Sequence, residues 1–386
     1  MRIAFVHERS GFFGGVEQNM FDTAKGLSAR GHDCLLIAGP LPGKDPERFA
    51  SAFTSLTAEW SDGNPSGSSL RKLIDDNSID ALYVHKVPRS DFLEQVKGKV
   101  LTVRMVHDHD STCPRRHKYF VHSGQACSLA IGWRCYLDLA FVEKKDGGIR
   151  LKSIPDVKRE AKRLNLYDRV ATNSQSMVEE LAINGVERTR LFLAHPVVPE
   201  QDAPLLPISS EPHVLFVGQL IRGKGVDLLL RSLALLKCPW RATIAGDGNA
   251  RQNLEALAKE LQIDNRVEFL GWFPSEKARE LYDQARVLAV PARWPEPFGM
   301  VGVEAMRRAR PVVGFRVGGI PDWLVDNETG YLVEQQNIEA FADRLERLLT
   351  DTKLATSMGN KGFQRAASHF SFSAYIDQLV NILGNR

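Results

Sequence analysis

Short apolar runs alternate with amphipathic stretches along nearly the whole chain. The apolar runs have the length of buried strands and form two series: Ile3–Val6, Cys34–Ala38, Ala81–Val84, Val100–Val103, Val170–Thr172 and Leu191–Ala194, then Val214–Val217, Ala242–Ala245, Arg266–Phe269, Val287–Val290 and Pro311–Phe315. Between them, apolar residues recur at helical spacing in Gln18–Arg30, Ser174–Asn184, Gly225–Leu236, Ala250–Gln262, Glu276–Gln284 and Met300–Arg308. Strands that alternate with helices favour a parallel, doubly wound sheet. The pattern therefore predicts an α/β protein with two Rossmann-like domains.

A proline-rich segment separates the two series. It runs from Pro196 to Pro212, contains five prolines and has no periodicity, which is typical of a linker. A chain of 386 residues is also too long for one typical domain. We therefore expect an N-terminal domain over 1–198, a linker over 199–212 and a C-terminal domain over 213–369. The stretch Phe370–Leu383 predicts a final helix.

Composition excludes several classes of protein. Hydrophobic residues make up 43% of the chain, enough for real cores, and the net charge of +3 does not by itself indicate nucleic-acid binding. Apolar runs such as Ile3–Val6 are far shorter than a membrane span, and the first residues predict a buried strand and not a signal peptide. Five cysteines do not make a disulfide scaffold. We expect a soluble, cytoplasmic protein.

The strongest chemical signal lies between Pro291 and Val313, where a strand turns into a helix at Gly299. A helix that begins there presents the backbone N–H groups of Gly299, Met300 and Val301 and a positive dipole end. Such a helix terminus binds phosphate. The sequence therefore predicts a phosphate site at this turn.

Two glutamates, Glu296 and Glu304, flank that turn with seven residues between them. Carboxylates repel phosphate, but they accept hydrogen bonds from hydroxyl groups such as the vicinal diols of a ribose or a hexose. A ligand with phosphate in the middle and hydroxyls at both ends is a nucleotide sugar. An ordinary strand–turn–helix unit with surface carboxylates is the alternative.

Three further glycine loops follow strand ends. Gly14-Gly15 precedes the first predicted helix, and its spacing is not the dinucleotide pattern Gly-x-Gly-x-x-Gly, which disfavours a nicotinamide cofactor. The loop from Gly218 to Gly225 carries two cations, Arg222 and Lys224, which would neutralise a departing diphosphate. Gly246 opens the third loop.

The stretch around Glu296 resembles the signature of the retaining glycosyltransferases of family 4, which have the GT-B fold. The resemblance comprises Glu-x7-Glu with an internal Pro-Phe-Gly, then Glu-Ala-Met, then Pro-Val-Val. It implies two Rossmann-like doubly wound domains facing a central cleft that holds the active site, with the last helix, 370–386, completing the first domain. It further implies that Glu296 contacts the donor sugar, Glu304 the ribose, and Phe298 to Val301 the diphosphate.

The resemblance assigns roles to other positions. Lys224 and His107 match a lysine and an active-site histidine of the family, and the loops of Gly14, Gly15, Gly218 and Gly246 would line the donor site. The family has arginine where this chain has Gln219, so Arg222 is a candidate replacement. Gly271-Trp272-Phe273-Pro274 would approach the nucleotide base, although core packing is the favoured role for its two aromatic side chains. Gly318-Gly319-Ile320-Pro321-Asp322 is a family motif that usually ends in glutamate.

Metal and membrane contacts are open alternatives. The run His107-Asp108-His109-Asp110 could hold a metal, as could Cys113, Cys127 and Cys135 with the nearby His117 and His122, but the cysteine spacing fits no standard zinc motif. The resemblance implies a metal-independent enzyme without a cofactor. The basic and aromatic run Pro114–Tyr119 could meet an anionic acceptor or a lipid head group, or be solvated.

We therefore predict a retaining glycosyltransferase with His107, Lys224 and Glu296 in catalytic roles. It would use a nucleoside diphosphate sugar and a carbohydrate or lipid-linked acceptor, with no nucleic acid as partner, in surface polysaccharide or glycolipid synthesis. It would act in the cytoplasm, with a possible contact to the inner face of the membrane. A disaccharide or glucoside synthase of the same fold, and a non-catalytic nucleotide-sugar or glycan-binding protein, are the alternatives.

Overall fold

The computed structural model describes the chain except residues 62, 146–147, 198, 200–203, 274–277 and 385–386. Its contacts divide the chain into two compact units. Unit 1 comprises Met1–Arg116, Ser128–Glu200 and Phe372–Arg386, and unit 2 comprises His117–Cys127 and Gln201–Ser371. Each unit is an α/β body built on a parallel sheet.

The sheet of unit 1 has, among the described residues, seven strands in the order β11-β10-β7-β6-β1-β2-β3. All of its neighbouring strands pair in parallel. The strands are β1 Arg2–Arg9, β2 Asp33–Leu41, β3 Thr54–Leu56, β6 Ala81–Val84, β7 Leu101–Val106, β10 Arg169–Thr172 and β11 Leu191–Leu193. Two antiparallel pairs lie outside this sheet: β4 Trp60–Ser61 with β5 Asn64–Pro65, and β8 Val142–Lys145 with β9 Gly148–Leu151.

The sheet of unit 2 is also parallel. In the part of the chain that the structure describes it has six strands in the order β14-β13-β12-β15-β16-β17. These are β12 His213–Val217, β13 Arg241–Ala245, β14 Val267–Gly271, β15 Val287–Val290, β16 Val312–Phe315 and β17 Gly330–Val333. The middle strands β15 and β16 are buried along their whole length, as a sheet covered on both faces requires.

Helices connect the strands in both units. They are α1 Gly15–Ser28, α2 Pro46–Ala50, α3 Gly67–Asn77, α4 Leu93–Val96, α5 Arg134–Leu137, α6 Ile154–Arg163, α7 Gln175–Ile183, α8 Val226–Ala234, α9 Arg251–Glu260, α10 Ala278–Gln284, α11 Met300–Arg307, α12 Ile320–Trp323, α13 Ile338–Thr350, α14 Thr352–His369 and α15 Phe372–Gly384. None of the described helices combines the length and the hydrophobicity that a membrane-spanning helix needs.

The final helix α15 packs within unit 1. Gly26 of α1 faces it, and a Cβ at Gly26 would lie 2.7 Å from Cδ1 of Ile376. The Tyr375 hydroxyl lies 3.1 Å from the Thr23 hydroxyl, and both groups are buried. The missing side chain at Gly26 therefore lets the two helices approach closely.

The parallel doubly wound fold predicted from the alternating runs is confirmed. Each of the eleven predicted runs overlaps a strand of one of the two sheets. The edge strand β3 was not predicted, since its residues are half-buried or exposed and carry no apolar run. Parts of three predictions lie outside the described residues: the start of the helix Glu276–Gln284, residues 200–203 of the linker and the last two residues of 370–386.

One segment of the predicted N-terminal range groups with the other unit. Residues His117–Cys127 belong to unit 2, where they are held by hydrogen bonds. Ala126 N donates to Gln335 Oε1 at 3.0 Å, Gln336 Nε2 donates to Ser123 O at 3.0 Å, and Arg222 Nη2 donates to Val121 O at 3.0 Å.

Candidate active site

Helix α11 begins directly after the turn that carries Glu296. Gly299 adopts φ +86°, a left-handed conformation that favours glycine, and the helix begins at Met300. The amide groups of a first helical turn have no hydrogen-bond partner within the helix, and no side chain caps this helix at Gly299. The helix start predicted at Gly299 is therefore present, and phosphate binding by Gly299, Met300 and Val301 stays a prediction.

Trp323 supports this turn from within the fold. Its side chain is fully buried, and its Nε1 donates to the Phe298 carbonyl at 2.6 Å. A Cβ at Gly302 would lie 2.1 Å from the Trp323 ring, so only glycine allows α11 to rest on the indole. Sequence reasoning did not single out Trp323, which lies one residue beyond the quoted motif Gly318–Asp322.

The two glycines of that motif hold the backbone of Glu296. Gly319 N donates to Glu296 O at 2.7 Å. Gly318 has φ +54°, and a Cβ there would lie 2.3 Å from the same carbonyl oxygen. Any side chain at Gly318 would therefore displace Glu296.

Glu296 and Lys224 meet directly. Lys224 Nζ donates to Glu296 Oε1 at 2.5 Å, and the two side chains are 23% and 6% exposed. The Lys224 ammonium also lies 5.1 Å from the centre of the Trp294 ring. The structure thus brings together two of the three residues predicted to be catalytic, as an ion pair that is largely removed from water.

The loop of Lys224 is fixed against the strand end that leads to Glu296. Arg293 N and Trp294 N both donate to Gly223 O, at 2.8 and 3.1 Å. Gly225 has φ +70°, and a Cβ there would lie 1.9 Å from the Pro291 carbonyl oxygen. Glycine is required at 225 because two backbone segments touch at this point.

Gly218 and Gly246 form a second close contact. Gly218 N donates to Ala245 O at 3.0 Å, and a Cβ at Gly246 would lie 1.9 Å from Gly218 O. Gln219, which follows Gly218, is exposed. Arg222 is also exposed and donates to the Val121 carbonyl, as described above. Its replacement of a family arginine stays a prediction.

Glu304 has a partner that the sequence did not indicate. The buried Tyr282 donates from its hydroxyl to Glu304 Oε2 at 2.7 Å. Burial raises the pKa of Glu304 above its ordinary value, and the hydrogen bond from Tyr282 opposes that shift. Tyr282 thus fixes one carboxylate oxygen of a half-buried side chain.

The stretch that was predicted to approach the nucleotide base, Gly271 to Pro274, is more exposed to solvent than expected in its described part. Trp272 is 72% exposed, so the expectation that it packs in the core is wrong. Its exposure follows from its place, since β14 is the edge strand of the sheet and ends at Gly271. Pro274 lies outside the described residues.

In unit 1, His107 belongs to a histidine cluster at the carboxyl ends of three neighbouring strands. His107 Nε2 lies 2.8 Å from His85 Nδ1, and the two rings stack at 5.1 Å between centres. His85 stacks in turn on Phe5 at 5.5 Å. Desolvation is the largest cause that lowers the pKa of His107 to about 3, so the half-buried ring is neutral at neutral pH.

His7 connects this cluster to the Gly14 loop. Arg9 N donates to His7 Nδ1 at 3.0 Å, so the neutral ring carries its proton on Nε2, which faces Glu17 Oε1 at 3.4 Å. Glu17 Oε2 accepts from Gly14 N at 2.8 Å. Burial lowers the pKa of His7 to about 3. This network positions the Gly14-Gly15 turn at the start of α1.

The acidic run after His107 is engaged by cations. Lys86 Nζ lies 3.4 Å from Asp108 Oδ2 and 2.9 Å from Asp110 Oδ2, while His109 Nδ1 lies 3.0 Å from a Glu180 carboxylate oxygen. Among the described residues, no group of three or more His, Cys, Asp or Glu side chains is placed so that it could hold a metal ion.

The basic run Pro114–Tyr119 is only partly solvated, with Arg116 and His117 exposed. Arg115 pairs with Asp138, and Arg116 Nε lies 3.2 Å from Asp110 Oδ1. Lys118 and Tyr119 are 4% and 9% exposed. A contact of this run with an acceptor or a lipid head group stays a prediction. Cys113, Cys127 and Cys135 form no disulfide bond with one another.

Comparisons with known proteins match both halves of the chain. Residues 13–201 match the family model "Glycosyltransferase Family 4", and residues 197–365 match "Glycosyl transferases group 1". Together the two models account for nearly the whole described fold.

Curated relatives match over less of their length. A D-inositol 3-phosphate glycosyltransferase of Corynebacterium aurimucosum is 36% identical over 178 residues, which is 44% of this chain and 42% of that protein. The lipopolysaccharide core biosynthesis glycosyltransferase LpsE of Rhizobium meliloti is 30% identical over 179 residues, which is 46% of this chain and 51% of that protein. The matched region thus spans about half or less of each relative.

A solved structure shares the fold along the full chain. HepE of Anabaena, crystallised with UDP-glucose, superposes with a TM-score of 0.72 at 19% identity and covers 99% of both chains. At this identity the likeness shows the fold alone, two Rossmann-like domains of the GT-B type.

Proposed function

The chain belongs to the group 1 and family 4 glycosyltransferases, and we propose that it moves a hexose from a nucleoside diphosphate sugar to an acceptor hydroxyl with retention of configuration. One observation carries the proposal. Lys224 Nζ lies 2.5 Å from Glu296 Oε1, and Glu296 lies in the turn directly before the N-terminus of α11. An ammonium and helix amides suit a diphosphate, and the adjoining carboxylate suits sugar hydroxyls.

The proposed reaction breaks the bond between the anomeric carbon and the diphosphate oxygen. Lys224 and the amides of Met300 and Val301 would take up the charge that develops on the leaving diphosphate. The acceptor hydroxyl would attack the same face of the sugar and give its proton to the departing phosphate oxygen. Glu296 would hold sugar hydroxyls, and the neutral His107 would donate or accept one hydrogen bond at the sugar.

The proposed donor grip needs no metal ion. Helix amides and Lys224 supply the positive charge that a divalent cation would otherwise bring to the diphosphate. Tyr282 and Glu304 would bind the ribose, since Tyr282 fixes one carboxylate oxygen by its 2.7 Å hydrogen bond. UDP-sugars are the first donors to test, because HepE was solved with UDP-glucose.

The proposed acceptor is a carbohydrate or a lipid-linked glycan on the cytoplasmic side of a membrane. Two relatives act, by name, on an inositol phosphate and in lipopolysaccharide core synthesis. Such acceptors have in common a polyol with an anionic or lipid-linked part. Unit 1 would select among them.

The decisive experiment is a donor screen by calorimetry with UDP-, GDP- and ADP-sugars in the presence of a chelator, together with slow hydrolysis of each. We expect one donor to bind and to be hydrolysed without added metal. Binding that appears only with a divalent cation would overturn metal independence. No binding under either condition would overturn the assignment of Glu296 and Glu304.

A non-catalytic sugar-nucleotide binding protein is the second candidate. The observation in its favour is Gln219, a neutral, exposed side chain where the family has arginine. Donor hydrolysis by the unmodified chain distinguishes the two, since an enzyme hydrolyses donor and a binding protein does not. A Gln219→Arg variant is the control: it should leave an existing activity in place and should not create one in a binding protein.

A further inference from the structure

Large apolar side chains point into solvent from one segment of unit 1. The segment comprises α5 and the hairpin of β8 and β9. The exposed fractions of its large apolar side chains are 67% for Trp133, 47% for Tyr136, 72% for Leu137, 55% for Leu139, 69% for Ile149 and 67% for Leu151. We call these six residues the apolar patch.

Backbone hydrogen bonds hold together the elements that carry the patch, which are α5, the turn after it and the hairpin. Val142 N donates to Leu139 O at 3.0 Å, and Lys152 N donates to Phe141 O at 2.7 Å. In the hairpin, Val142 pairs with Leu151. The rings of Tyr136 and Phe141 lie 5.6 Å apart.

The apolar patch is distinct from the buried core of its own segment. The same segment has its own small core, in which Ile131, Ile154 and Ala161 are buried and Phe141 and Val157 pack against them. The fold thus separates inward from outward apolar side chains. Leu139 has φ +52°, a conformation that costs an L-residue roughly 1 kcal/mol or more, and it nevertheless stays exposed.

Cations lie on the helix that follows the hairpin. A shallow groove along α6, about 420 Å³ in volume, is lined by Pro155, Lys158, Arg159, Lys162, Arg163 and Leu166. Residues 131–163 hold nine Lys and Arg against five Asp and Glu, a net charge of +4 that exceeds the +3 of the whole chain. On α6 itself Arg159 pairs with Asp156 and Arg163 with Glu160, and the exposed Lys158 and Lys162 give this helix a net charge of +2.

We propose that the apolar patch and α6 together bind an anionic phospholipid membrane in its interfacial region. Tryptophan, tyrosine and leucine insert at the level of the headgroups, and lysine and arginine beside them bind the lipid phosphates. A cluster of exposed apolar side chains is typical of a surface that binds a protein or a membrane, and adjacent cations favour a negatively charged partner. The contact does not depend on turnover, and it would place unit 1 at a surface where lipid-linked acceptors occur.

Co-sedimentation of the full chain with vesicles tests the proposal. The vesicles are pure phosphatidylcholine or phosphatidylcholine with about 30% phosphatidylglycerol, the anionic probe. We expect binding to the anionic vesicles and little to the neutral ones. Trp133→Ser/Leu137→Ser and Lys158→Glu/Lys162→Glu should each weaken binding by at least about tenfold, since each lysine or arginine near the surface contributes severalfold.

Matched controls change the same properties elsewhere. Lys353→Glu/Lys361→Glu makes the same charge change on exposed positions of α14, and Ile183→Ser/Leu235→Ser removes apolar side chains that are 48% and 47% exposed. Both should keep vesicle binding, and donor hydrolysis should stay unchanged in all four variants. Equal loss in patch and control variants, or no binding of the unmodified chain, would overturn the proposal. So would a dimer in solution that Trp133→Ser/Leu137→Ser makes monomeric, without vesicle binding, since the patch would then be a self-association surface.

Discussion

Replacing the carboxylate of Glu296 by an amide should have opposite effects on two ligands. In the proposed site, a nucleoside diphosphate without sugar would compete with Glu296 for Lys224, while a nucleotide sugar would need the carboxylate for its hydroxyls. Glu296→Gln keeps the shape and removes the charge. We therefore expect this variant to bind the free diphosphate more tightly and to lose transfer.

The size of the effect follows from the ion pair. Two unit charges about 4 Å apart attract by about 4 kcal/mol at the effective dielectric constant of a protein surface. Lys224 is 23% exposed, so solvent screens part of this attraction. A net gain of about 1–2 kcal/mol would tighten diphosphate binding about 5- to 30-fold. Transfer should fall by about 10²-fold or more, the usual cost of losing one such transition-state contact.

Calorimetry with the nucleoside diphosphate and with its sugar adduct measures both effects in four proteins: the unmodified chain, Glu296→Gln, Lys224→Met and the double variant. Lys224→Met should weaken both ligands. In the double variant the gain from Glu296→Gln should vanish, because no ammonium remains to be released. If Glu296→Gln weakens the free diphosphate as much as the sugar donor, Glu296 holds the loop in place and does not contact sugar.

Three further predictions concern supporting residues. Trp323→Phe removes the indole N–H that donates to the buried Phe298 carbonyl and should lower the free energy of unfolding by about 1–3 kcal/mol in urea titrations, whereas Trp272→Phe, at an exposed site, should change it by under about 0.5 kcal/mol. His85→Phe removes the ring nitrogen that lies 2.8 Å from His107 Nε2 and should lower kcat about tenfold, with the donor KM unchanged. His85→Gln keeps a polar group there and should retain most of the rate. An equal loss of kcat in both variants would indicate that His85 serves only in packing. Burial lowers the pKa of His7 to about 3, so between about pH 6.5 and pH 3 the unfolded chain binds a proton that the folded chain does not. The free energy of unfolding should therefore be unaffected by His7 above pH 6.5 and should fall with pH below it, by about 2 kcal/mol at pH 5. His7→Gln should remove this part of the pH dependence in urea titrations.

Much of the fold follows from the sequence because its signals are local. The runs in β1 and β15 are apolar over a strand length, Pro291 directly follows β15, and Gly299 precedes a helical pattern, so strand, turn and helix could each be predicted. The same holds for Lys224, which lies in a loop of glycines after a strand.

The partners that complete the site could not be predicted, because they come from distant parts of the chain. Tyr282 reaches Glu304, and Trp323 reaches Phe298, only after the sheet of unit 2 has formed. His7 and His85 are single histidines at strand ends, and nothing in their neighbourhood indicates that parallel pairing brings them beside His107. The ion pair of Arg115 could not be predicted for the same reason, since its counter-charge Asp138 follows 23 residues later.

The placement of the segment His117–Cys127 and of helix α15 makes the two units interdependent along the chain. The peptide passes from one unit to the other four times, so no single cut yields two complete halves. Helix α15, which packs against Gly26 of unit 1, follows the unit 2 residues 201–371 in the sequence, so unit 1 is completed only after they have been synthesised. A chimera that exchanges donor-binding halves between relatives would therefore need to carry residues 117–127 along with 201–371, and a truncation before Phe372 would leave the first unit unfinished.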